Sequence, residues 1–176
     1  MSSLKIVTTP MCGKILELAG ISDYIVSKNP SKIDADIVVT LSETKISNKS
    51  IKIKLNTFSQ IDKSVKLLSE VFETSPLDYK IKYRKDSKIN EKNRKIKIKV
   101  YSNFLNDIVE DMGFTIVDKS YDFVVYPDYM GDEIAGKINK NVKAIEIPSH
   151  KNVPLNAIKR AEMRYNILEK ELCMKP

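Results

Sequence analysis

Two stretches of nearly the same sequence, Asp36-Ile37-Val38-Val39 and Asp122-Phe123-Val124-Val125, sit at matching places in a longer repeated pattern. Short apolar runs of strand length alternate with stretches of helical period, first over residues 4–73 and again over 96–172. The first half reads as strand 4–9, helix 12–20, strands 23–27, 35–41 and 50–55, then helix 59–73. The second reads as strand 96–102, helix 103–113, strands 114–118 and 121–127, helix 131–140, strand 143–148 and helix 152–172. Overlaying them sets Val7 on Val100, Ile15 on Ile108, Glu17 on Glu110 and Gly20 on Gly113. Both glycines fall where a helix should end in a left-handed cap. The runs lack strict alternation, which suits burial on both faces of a mostly parallel sheet.

The fold expected is therefore α/β: two similar small units, each a mostly parallel sheet flanked by helices, with a ligand cleft at the strand carboxyl ends. The first half takes residues 1–74 and the second 96–176, including a long C-terminal helix. A charged linker, 75–95, joins them, as two units or within one domain. The C-terminal helix is amphipathic, and its apolar face suits its own sheet better than the seam of a homodimer.

Composition narrows the function classes. Among 176 residues no apolar run approaches membrane-spanning length. Residues 1–14 turn polar too soon for a secretory signal. Two distant cysteines, Cys12 and Cys173, make no disulfide framework, so a reducing cytoplasm is expected. The net charge of +7 is carried almost wholly by lysine. That suits an anionic small-molecule partner, or simply a lysine-rich proteome. The densest patch, 80–99, has no aromatic or glycine-rich RNA-binding signature, which argues against nucleic acid.

The loops at the predicted strand ends hold the polar and special residues. Thr8, Thr9, Pro10, Met11, Cys12, Gly13 and Lys14 lie in the first; Thr40 and Ser42, Tyr126, and Ser149 with His150 lie in three others. Pro10 should end the strand and Gly13 allow a tight turn. Cys12 then falls at a helix N-terminus, where unpaired N–H groups, with Lys14 close by, lower a thiol's pKa and make it nucleophilic. His150 reads as a general base, a stacking contact or a solvated loop residue. No triad completes a hydrolase, and no spacing of ligands suggests a metal. The glycine-rich nucleotide motifs are absent, and no tightly bound cofactor is expected.

Residues 4–20, LKIVTTPMCGKILELAG, resemble the opening of the HcgF family, small methanogen proteins that help to build the iron–guanylylpyridinol cofactor of [Fe]-hydrogenase. The family has a reactive cysteine just past its first strand, and Cys12 occupies that position. The resemblance implies that the Cys12 thiolate accepts the activated carboxyl group of guanylylpyridinol as a protein thioester. A separate adenylating enzyme would then be the partner. It carries over no guanylyl-binding residue beyond the opening. Small methanogenesis marker proteins of unknown role open on a similar strand–proline–helix pattern. Against the thioester stands a non-catalytic module whose two lobes bind a nucleotide-like anionic metabolite.

Overall fold

Each half of the repeat builds its own four-stranded sheet, parallel throughout. The computed structural model describes residues 4–81 and 91–173. The first sheet comprises β1 (Ile6–Thr8), β2 (Ile25–Val26), β3 (Ile37–Leu41) and β4 (Ser50–Ile53), in the order β2-β1-β3-β4. Its helices are α1 (Gly13–Leu18) and α2 (Phe58–Val71). The second sheet comprises β5 (Lys97–Val100), β6 (Thr115–Ile116), β7 (Phe123–Pro127) and β8 (Lys143–Ile147), in the order β6-β5-β7-β8. With it go α3 (Asn103–Asp111), α4 (Gly131–Ala135) and α5 (Ala157–Leu168), the last running into a π-helical turn, Glu169–Cys173. The two orders are the same topology twice.

The chain divides into two compact units: Met1–Lys82 with Pro154–Arg160, and Tyr83–Val153 with Ala161–Pro176. The start of α5 thus goes with the first unit, a division that the sequence pattern does not reveal. Residues 82–90, within the expected linker and its lysine patch, lie outside the described residues, as does the side chain of Cys173.

Two local devices set the geometry in both units. The first is a carboxylate latch at the strand starts. The Lys5 N–H donates to Asp36 at 2.7 Å, and the Lys97 N–H donates to Asp122 at 2.8 Å. In return the N–H of each aspartate donates to the carbonyl of its lysine. The second is the glycine cap. Gly20 and Gly113 have φ of 81° and 84°. Around them Gly20 N–H meets Glu17 O and Ile21 N–H meets Leu16 O, as Gly113 meets Glu110 and Phe114 meets Val109. This is the double-bonded left-handed helix stop that the two glycines predict.

The latches correct the overlay of the halves. They place Lys5 on Lys97, 92 positions on, whereas the caps stand 93 apart. Thr8, not Val7, is therefore the counterpart of Val100, and the one-residue difference is absorbed before the first helix.

Burial on both faces holds for three of the four central strands: β1 is buried throughout, as are Val38, Val39 and Thr40 of β3 and Phe123, Val124 and Val125 of β7, whereas β5 buries only Ile98. Edge strands differ. β8 buries only Ile145 and Ile147, and β2 leaves both residues exposed. In the second unit Ile98, Leu105, Ile108, Val109, Phe123 and Ile147 join one apolar cluster. Burying each such side chain contributes ~1.5–3 kcal/mol.

Helix ends are shorter than the periodicity suggests. α4 stops at Ala135, just before Gly136. Pro154 precedes α5, where the Asn156 carboxamide oxygen accepts from the N–H groups of Ile158 and Lys159 and so caps the start.

Candidate functional site in the first unit

β1 ends on Thr8, and a turn over Thr9–Cys12 carries the chain into α1. The Thr9 carbonyl accepts from the N–H groups of Cys12 (3.0 Å) and Gly13 (3.2 Å), which folds Pro10 and Met11 into a tight corner. Cys12 takes the N-cap position with φ −105° and ψ −14°, and its side chain makes no capping bond. The sulfur faces inward instead: the residue is wholly buried.

This reverses the expected ionisation. Burial pushes the Cys12 thiol up from its ordinary value, outweighing a hydrogen bond from Thr9 and the positive charge of Arg160. The Glu43 carboxylate adds to the upward push. Thr8 also touches the sulfur, but its single hydroxyl proton goes to the Val39 carbonyl at 2.8 Å, so its oxygen accepts rather than donates there. A thiol in a desolvated site with one cation is held neutral.

Lys14 does not serve the sulfur. It pairs with Glu17 at 2.5 Å on the surface and holds that carboxyl below the usual range. Gly13 is not a conformational necessity either. Its φ lies outside the left-handed region, and an added Cβ would stand 3.6 Å from Val26, an ordinary contact. What surrounds it is Tyr24, whose hydroxyl donates to the Gly13 carbonyl at 3.1 Å.

Thr40 lies near the end of β3, one residue beyond the Val39 carbonyl that Thr8 reaches. Its Oγ1 is buried and has no hydrogen-bond partner. Ser42 is exposed, its N–H committed to the Ile53 carbonyl. The remaining residues singled out from sequence belong to the second unit. Tyr126 is half-buried, its hydroxyl pushed up by burial and by Glu146. Ser149 is buried and gives both its N–H and its Oγ to Asp128. His150 is exposed.

Two arginines escaped the sequence reading. Arg160 and Arg164 are 2% and 4% exposed. Arg164 donates to the carbonyls of Pro148 and Ser149 and lies 4.6 Å over the Phe104 ring. Arg160 reaches the Met11 carbonyl, in the peptide just before Cys12. Their four-residue spacing on one helix face was the available signal, but in a lysine-rich chain it reads as a solvated stripe.

Among the described residues no three His, Cys, Asp or Glu side chains stand close enough to hold a metal, and no helix is long and apolar enough to cross a membrane.

Neither a protein-family model nor a curated protein matches the chain in sequence. Solved structures do match in fold. A Zn(II)-bound mutant variant of AdcAII of Streptococcus pneumoniae superposes with a TM-score of 0.52 at 12% identity, covering 97% of this chain and 100% of that one. A second Zn(II)-bound AdcAII variant gives 0.51 at 11%, covering 96% and 98%. At such identities the likeness is one of fold alone: two similar α/β lobes.

Proposed function

We propose that this chain is a binding module for a small, nucleotide-like anionic metabolite, with contacts at the carboxyl ends of β1 and β3. The observation that carries the reading is the Thr40 hydroxyl. A buried hydroxyl without a partner costs about 1–3 kcal/mol relative to a satisfied one. A ligand atom is the natural partner. Ligands favour this end of parallel sheets because the connecting loops converge there. The two-lobed fold shared with AdcAII fits such a role, and the net charge of +7 suits an anion. The zinc that those variants hold has no comparable donor set among the described residues here.

The test separates binding from folding. Thr40→Val keeps the shape and removes the orphaned hydroxyl. It should raise stability by about 1 kcal/mol while weakening binding of nucleoside monophosphates by titration calorimetry. Binding should survive Cys12→Ala. A variant that is less stable and binds unchanged assigns Thr40 to the core and removes this reading.

A second reading keeps Cys12 as an acyl acceptor from guanylylpyridinol adenylate, with the carbon–sulfur bond forming as AMP leaves and the thiol proton passing to solvent. The Thr9 hydrogen bond and the Arg160 charge at the sulfur favour it. Burial opposes it in the resting state, so acylation requires the Thr9–Cys12 turn to open. Intact-mass analysis after incubation with the activated pyridinol decides: an adduct that Cys12→Ala abolishes supports it, and no adduct excludes it.

A further inference from the structure

Arg160 closes the segment Pro154–Arg160 of the first unit. A guanidinium presents five N–H donors in one plane. Here Nη1 donates to the Pro154 and Leu155 carbonyls, both at 3.0 Å, and Nη2 donates to the Met11 carbonyl at 3.4 Å. Two donors are left over, Nε–H and the second Nη2–H. Nε and Nη2 form the side of the guanidinium fork that can meet a carboxylate or phosphate with two parallel bonds.

The charge is poorly matched. No carboxylate of the described residues pairs with Arg160, burial works against its cationic form, and the Cys12 thiol beside it is neutral. Burying an uncompensated charge costs several kcal/mol, and carbonyl dipoles offset only part of that. If the role were only to make the two 3.0 Å bonds to Pro154 and Leu155, the two N–H donors of a neutral amide side chain would match them in number without a buried charge. An arginine makes sense where a full negative charge arrives.

We propose that Arg160 anchors an oxyanion in the first unit, its Nε–H and remaining Nη2–H taking a carboxylate or phosphate group of the ligand beside the Thr9–Cys12 turn. The assignment rests on the reading of this unit as a ligand site and names the chemical group that the site selects. Lysine cannot replace it, since an ammonium is a point charge without the two-donor edge.

Titration calorimetry on the full chain at low salt with inorganic phosphate, succinate and guanosine monophosphate tests this. At least one oxyanion should bind saturably, and Arg160→Lys should weaken that binding tenfold or more. Phosphate binding without succinate binding marks a phosphoryl ligand, and the reverse marks a carboxylate; either supports the anchor. The wild-type chain supplies a readout that needs no stable variant. In nitrogen-15-labelled protein the Arg160 Nε–H resonance should shift on saturation with the oxyanion that binds. Binding undiminished in Arg160→Lys, or an unmoved Nε–H resonance at saturation, overturns the anchor and leaves the first unit a binding site by other contacts. No saturable binding of any of the three overturns both.

Discussion

α1 and α3 fill the same place in the two units, and they begin differently. In the second unit Ser102 stands in extended conformation before α3 and its hydroxyl accepts from the Leu105 N–H at 3.3 Å. In the first unit the corresponding turn is replaced by Thr9–Cys12, and α1 has six residues where α3 has nine. The cap is gone, and a sulfur, a threonine hydroxyl and a buried arginine occupy the space behind the turn. The strands differ in the same sense. Thr8 takes the place of Val100, and Thr40 the place of Tyr126. The second unit keeps a serine cap at this helix start, while the first has none there.

The comparison is first tested by what should be the same. Ile15 and Ile108 are both wholly buried and stand 93 positions apart, as the glycine caps do. Replacing either with alanine should cost about 2–5 kcal/mol, the usual range for a large-to-small change in a close-packed core. Denaturant unfolding measures it. A cost below about 1 kcal/mol at Ile15 would mean that α1 is loosely seated and that the units share topology without sharing packing.

Next comes what should differ. Ser102→Ala should cost about 1 kcal/mol by loss of its cap. The opposite change, Cys12→Ser, should not gain that amount. Its backbone lies in the helical region, whereas a capping side chain needs an extended one to reach back. A clear gain in stability from Cys12→Ser would show that the first turn can accept a cap after all.

Much of this was legible from residue order. Gly20 and Gly113 announce helix stops, and the two aspartates just before β3 and β7 lie in the repeated stretch that marks the two similar units. The apolar runs gave β1, β3 and β7 because both faces of those strands are covered, while central β5 alternates lysine with apolar residues and buries only Ile98. The site was legible in part. Thr8, Thr9, Met11 and Cys12 do gather at one corner, since a strand–turn–helix passage brings neighbours together. Arg160 was not legible, because its partners are backbone carbonyls and one comes from a loop 149 positions away. Side-chain identity says nothing about such a pairing. The inward turn of the sulfur was missed for a related reason. A cysteine at a helix start is described equally well by a reactive and a buried rotamer, and the choice depends on what packs behind it.

The smallest effect concerns that sulfur. Burial raises the folded-state pKa of Cys12 above that of the unfolded chain, so the folded form holds its proton more tightly. Its contribution is then fully present below the pKa of a free thiol, about 8.5, and is lost as pH climbs from there through the folded value. The unfolding free energy of the wild type, taken relative to Cys12→Ala, should stay level up to about pH 8 and fall above it. The second unit has Leu105 in its corresponding helix start and offers no such group. A relative stability that rises with alkaline pH would reverse the sign. The Arg160 charge and the Thr9 hydroxyl would then outweigh desolvation, and the first unit would hold a thiolate ready for an acyl group instead of a neutral wall beside a bound anion.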